Sequence, residues 1–135
     1  MTRIFTLLIS LTFSSISFAD FEKGWDCVQQ QDFACALKEL KPLADQGHMD
    51  AQYLVGYMYT NGQGVKQDDL EAVKYYKLAA VYGHSFSQAA LGSSYEFGFG
   101  VKQDKLEAKR LYGLACDNRN ASGCKNYKIL NEQGY

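Results

Sequence analysis

The sequence predicts an all-α solenoid of about three helix pairs closed by a C-terminal capping helix, and two observations carry that expectation. The stretch Gly62-Gln63-Gly64-Val65-Lys66-Gln67-Asp68 recurs as Gly98-Phe99-Gly100-Val101-Lys102-Gln103-Asp104, an offset of 36 (98 less 62). The same offset carries Leu70-Glu71-Ala72 onto Leu106-Glu107-Ala108, Tyr76 onto Tyr112, Gly56 onto Gly92 and Tyr59 onto Tyr95. A fixed period of roughly 20 to 50 residues marks stacked units that share one continuous core. The second observation is that apolar residues recur at three- and four-residue spacing, with no strand-like alternation of useful length.

Residues 1–19 read as a cleaved export signal. Arg3 supplies a positive charge, Ile4 to Phe18 is apolar, and Ser17-Phe18-Ala19 fits a signal-peptidase site before Asp20. A membrane anchor is the competing reading, but the apolar run falls short of the roughly twenty residues a spanning helix needs. The domain is then 20–135. Losing Arg3 leaves 13 basic residues against 15 acidic ones, which removes any basic field for nucleic acid. After residue 19 nothing is long and apolar enough for membrane insertion.

Helices are expected in order. The first runs from Asp20 to about Gln30, and Asp32 caps a second from Phe33, which contains Pro42 and closes at Gly47. Pro42 should kink that helix or remove one backbone hydrogen bond. A third covers His48 to Asn61, and Gly62 and Gly64 break it. Asp68 or Asp69 caps a fourth, through Leu70, Val73, Tyr76, Leu78, Ala79 and Ala80 to Gly83. A fifth begins at His84, a sixth after Asp104, and a seventh covers Ala121 to about Gln133 with Cys124, Tyr127, Ile129 and Leu130. The units are about 20–47, 48–83 and 84–119, with 120–135 as the cap.

Cys27 and Cys35 are eight apart (35 less 27), as are Cys116 and Cys124 (124 less 116). An even count, matched spacing and an export signal suggest disulfides formed in an oxidising compartment. Three pairings exist, of which we take Cys27–Cys35 with Cys116–Cys124; free buried thiols are the alternative. C-x7-C is not zinc spacing, so no metal is expected. His48 and His84 occupy equivalent positions with Asn120 next in the series, which suggests capping of helix-start amides rather than catalysis. Ser122-Gly123-Cys124-Lys125 is an S-x-x-K string, the nucleophile motif of many β-lactamases, with no S-D-N or K-T-G after it. No catalytic residue and no cofactor are assigned.

The pattern Val55-Gly56…Tyr59…Gly62-x-Gly64-Val65…Asp68…Glu71-Ala72…Tyr76…Ala79-Ala80…Gly83, with its second copy through Ala115-Cys116, resembles the Sel-1-like repeat, a relative of the tetratricopeptide repeat. The second copy departs at Ser87 and Arg119, and residues 20–47 look like a degenerate first unit. The resemblance implies a right-handed α/α solenoid, with the C-x7-C linkage of cysteine-rich secreted members joining one helix to the next. It also implies that the first helix of each unit lines a concave groove: Phe21 and Trp25, then Tyr53, Tyr57 and Asn61, then Phe86, Ala89, Ser93, Glu96 and Phe97. Exposed aromatics there would anchor a protein partner; the alternative is that the array buries them or that they coat a harmless surface. The family implies a periplasmic or secreted protein-binding role as adaptor, inhibitor or immunity protein. Its cysteine-rich members also imply the alternative of a penicillin-binding protein or β-lactamase.

Overall fold

A computed structural model describes residues 13–135, and side-chain surroundings from residue 20. The rest of the expected leader lies outside them. Among the described residues the chain is all helix: α1 (Phe13–Gln29), α2 (Phe33–Asp45), α3 (Met49–Asn61), α4 (Asp69–Val81), α5 (Ser85–Phe97), α6 (Lys105–Asp117) and α7 (Ala121–Glu132). Each helix packs on the next, and α7 also touches α5, which makes a right-handed solenoid of three hairpins and a cap. α1 begins upstream of the expected Asp20 start. α2 runs unbroken through Pro42, so the proline removes one backbone donor without ending the helix.

The caps explain where each helix begins. Asp32 accepts from the Cys35 amide at 3.0 Å, Asp68 from Leu70 at 3.0 Å and Glu71 at 3.2 Å, and Asp104 from Glu107 at 3.0 Å. At the other helix starts the capping atom is Nδ1 of His48 (from Ala51, 3.3 Å), Nδ1 of His84 (from Ser87, 3.2 Å) and Oδ1 of Asn120 (from Gly123, 2.9 Å). A lone pair in the same place does the same work in three residue types.

Within each hairpin a small residue receives a large one. A Cβ on Gly56 would lie 2.7 Å from the Tyr76 ring, one on Gly92 2.9 Å from the Tyr112 ring, and one on Gly24 2.5 Å from Leu40. The rings' hydroxyls then reach back to the first helix. Tyr76 Oη pairs with Thr60 Oγ1 at 2.9 Å, and Tyr112 donates to Glu96 at 2.7 Å. Burial pushes the Tyr76 phenol up to about 12, and burial together with Glu96 raises Tyr112 as well.

Between hairpins the Gly62–Asp68 loop leans backwards. Gly64, at φ 71°, sits so close to the Phe33 carbonyl that a Cβ would meet it at 2.6 Å, and Gly100 stands in the same relation to Asp69. The second glycine of each loop is therefore fixed by contact with the preceding hairpin, not only by the turn. A buried glutamine joins successive units: Gln52 donates to the Ala44 carbonyl and Gln88 to the Ala80 carbonyl, both at 3.1 Å. Asn118 completes Gln88 by donating to its Oε1 at 3.0 Å. Tyr82 stands at the position one period earlier, and Gln52 Oε1 is left buried without a partner.

One further period along, those positions are Cys116 and Cys124, which form a disulfide with Cα atoms 4.5 Å apart. Cys27 and Cys35 form the other, at 5.7 Å. Both expected pairings are present, and they tie the first hairpin and the terminal helix. The apolar stripes need correction. Leu70 is 71% exposed, Leu106 66% and Leu78 43%, and Tyr127 and Ile129 are also exposed. Leu78 lies two residues, or about 200°, beyond the inward Tyr76. The inward residue missed is Tyr75, fully buried and donating to Asp45 at 2.8 Å.

Gly56→Ala is expected to lower unfolding free energy by about 1–3 kcal/mol, because a Cβ displaces the Tyr76 ring; urea titration checks it. Replacing Cys116 and Cys124 with serine should cost about 2–3 kcal/mol for so short a closed loop, read as a lower melting temperature that matches the same drop on reduction. The raised phenols predict alkaline unfolding. Tyr76 stays protonated in the fold above the unfolded value near 10, so stability is complete below about pH 10 and declines through about pH 12. Tyr76→Phe should lessen that decline, leaving the share of the other raised phenols, while costing about 1 kcal/mol at neutral pH, as pH-dependent denaturation curves would show.

Candidate functional site

The odd-numbered helices carry the candidate surface. Their rings form a ladder whose rungs follow the repeat, because the same turn of helix recurs in each unit. Phe21 and Tyr53 are 32 apart (53 less 21), the first unit being four residues shorter, and Tyr53 and Ala89 are 36 apart (89 less 53). Trp25, Tyr57 and Ser93 form the parallel series. The capping histidines support the first two rungs: Phe21 stacks on His48 at 4.6 Å, and Tyr53 lies 5.3 Å from His84. Each imidazole therefore holds a helix start and a groove ring at once. His84 is anchored further by Asp50, whose carboxylate lies 3.1 Å from Nε2.

Tyr53 is the hub of this surface, 5.7 Å from Phe86, 6.3 Å from Tyr57 and 6.2 Å from Tyr76. It lines three adjoining concavities. One of about 510 Å³ lies against Phe21, Trp25 and Phe86, and one of about 520 Å³ against Trp25, Phe33 and Tyr57. The third, of about 330 Å³, lies against Tyr57, Phe86 and the smaller wall of Ala89 and Ser93. Burial raises the Tyr53 phenol, and the neighbouring Tyr57 adds to it. Trp25 is 38% exposed, Tyr57 45% and Phe86 58%, so the rings border solvent while their edges pack on one another.

Of the residues expected in the groove, Phe21, Trp25, Tyr53, Tyr57, Asn61, Phe86, Ala89 and Ser93 come together here. Asn61 closes the end of α3 by donating to the Tyr57 carbonyl at 2.8 Å. Two do not line these concavities. Glu96 turns to the Tyr112 hydroxyl, and Phe97 stacks on Phe99 at 5.9 Å. The offset held the signal for Glu96, since it stands one period after Thr60, which meets Tyr76 in the same way. Thr60, Asp69, Phe99 and Ser122 also line the smaller wall and were not expected there. Ser122, from the S-x-x-K string, is exposed on the first turn of α7, with Cys124 of the same string held in the disulfide.

Other surfaces offer less. Among the described residues no group of histidine, cysteine, aspartate and glutamate is gathered to hold a metal, and no helix is long and apolar enough to cross a membrane. The two disulfides fit an oxidising, extracytoplasmic environment.

The repeat is shared with known proteins. The Sel1 repeat family model matches residues 50–80 and 85–120. A Sel1 repeat protein from Oxalobacter formigenes superposes with a TM-score of 0.81 at 29% identity, covering 84% of this chain and 47% of its own. A protective antigen of uropathogenic Escherichia coli strains, displaying an SLR fold, superposes with a TM-score of 0.72 at 30% identity, covering 88% of this chain and 31% of its own. The chain thus spans under half of either protein. None of the proteins of curated function matches it. With two matched units, a degenerate unit before them and the same helix-pair stacking as these solved proteins, the chain belongs to the Sel1-repeat family.

Proposed function

We propose that this protein is an exported binding module that grips a segment of another protein in the groove of α1, α3 and α5, without chemistry of its own. Sel1-repeat solenoids bind other proteins, and the observation that carries the reading here is the aromatic ladder. Phe21, Trp25, Tyr53, Tyr57 and Phe86 are partly solvent-facing on one continuous surface, where packing of the solenoid alone would be served by smaller residues. Aromatic rings at the centre of a concave surface supply large contact area at low entropic cost. In the finer version of the proposal the protein is periplasmic or secreted after loss of residues 1–19. It acts as an adaptor or as a stoichiometric inhibitor, such as an immunity protein, that occludes an envelope or toxin enzyme.

A β-lactamase-type hydrolase is the second reading, and one observation favours it: Ser122 lines the concavity beside Ala89 and Ser93. Two experiments separate the readings. A chromogenic β-lactam should show no turnover, and turnover abolished by Ser122→Ala would replace the binding proposal. Capture from envelope extract should yield a defined partner at near one-to-one ratio, lost when Trp25→Ala is combined with Tyr57→Ala while the circular dichroism spectrum is kept.

A further inference from the structure

The charges of this solenoid are sorted by helix. Neither α3 nor α5 contains a lysine or arginine. In α1 the one lysine, Lys23, is turned to Glu39 of α2, with Nζ 2.8 Å from the carboxylate. The other basic residues after position 20 lie on α2, α4, α6 and α7 or in the connecting loops. At the groove only the carboxylates remain. Glu22 and Asp50 border the concavity built on Phe21 and Trp25, and Asp69 borders the one beside Ser93. Among the described residues lining the three concavities there is no lysine or arginine, and the one histidine, His84, is engaged with Asp50 through Nε2 at 3.1 Å. A protein with near-zero net charge thus presents an acidic, aromatic inner face, while on α2, α4 and α6 seven basic residues stand among six acidic ones and largely offset them.

Both halves of that inner face select for the same ligand chemistry. Aromatic faces carry negative quadrupole potential and attract ammonium and guanidinium groups within about 6 Å. Carboxylates around an apolar wall steer cations and repel acidic chains. The apolar rings between them demand that the cations come interleaved with hydrophobic side chains. From this we infer that the occupant of the groove is an amphipathic protein segment carrying lysine or arginine among apolar residues. Three helices set about 10 Å apart give a groove of roughly 20 Å, which matches about 13 residues of helix. Acidic peptides, nucleic acid and anionic lipid are disfavoured by the same charges.

The inference rests on the binding reading above, and the test distinguishes their failures. Trp25 is the only tryptophan, so its fluorescence reports on the groove directly, with calorimetry for variants that lack it. Three synthetic peptides of about 14 residues are titrated into the full, disulfide-intact chain. The first is a leucine- and arginine-bearing amphipathic helix, the second the same helix with glutamate for arginine, and the third the first one scrambled to abolish its apolar face. The basic helix should bind in the micromolar range and at least tenfold more tightly than the other two. Its affinity should fall about tenfold between about 50 and 500 mM salt, and about three- to tenfold on Glu22→Gln with Asp50→Asn. If the glutamate helix binds as well as the arginine helix, and both are lost on Trp25→Ala with Tyr57→Ala, the groove stands and the cationic inference is overturned. Equal binding of the scrambled peptide overturns it too. If no peptide binds, or binding survives loss of both rings, the groove reading falls with it.

Discussion

The close approach of a glycine on one helix to a bulky side chain on the next sets the geometry of every hairpin. Gly24 receives Leu40, Gly56 receives Tyr76 and Gly92 receives Tyr112. Because the glycine has no side chain, the two axes close up until the ring lies on backbone. Dispersion over that flat contact is dense, and there is no room for an alternative packing. In the second and third hairpins the tyrosine is long enough for its hydroxyl to reach the last turn of the partner helix, so one side chain fixes both separation and register, whereas Leu40 sets the separation alone. Everything on the groove side follows from this spacing. The aromatic rungs of α1, α3 and α5 come into reach of one another only because the second helices hold the first ones at a constant pitch.

The histidines show how local and global requirements agree. A histidine is an uncommon choice for a helix start, where serine, threonine, aspartate and asparagine are the usual acceptors. Here the ring offers an acceptor atom to the amide and a flat face to Phe21 or Tyr53. Asn120 keeps the acceptor and drops the face at the unit where the ladder has already given way to Ala89 and Ser93. Capping and groove wall thus change together along the chain.

Much of this was legible in the residues. The offset of 36 located the hairpins, the cap residues bounded α2 to α7 within a residue or two while the start of α1 lay seven residues upstream of Asp20, and the cysteine spacing led to the observed pairs. What escaped was whatever depends on the rotation of a helix about its own axis. Leu70, Leu78 and Leu106 are apolar yet face out, and Tyr75 faces in although Leu111 replaces it one period later. Composition does not report that rotation, since the small residues that mark the true contact stripe carry little hydrophobic signal. Gln52 and Gln88 were hidden for a related reason: a polar residue in a helix reads as surface until its partner carbonyl is located. At the groove, position predicted which rings would meet, but Glu96 and Phe97 are drawn aside by a hydroxyl and a neighbouring ring that a one-dimensional pattern does not weigh.

The backward lean of the glycine loops gives the array a direction. Gly64 rests on the first turn of α2 and Gly100 on the first turn of α4, so each hairpin after the first needs the one before it as a seat, and the first needs none. A unit removed from the middle would leave its successor a seat of similar shape, since Phe33 and Asp69 meet the loop first through their carbonyls. The solenoid is therefore a sentence that tolerates the deletion or insertion of whole clauses. Changing the number of units would alter the length of the groove while leaving each surviving rung in register.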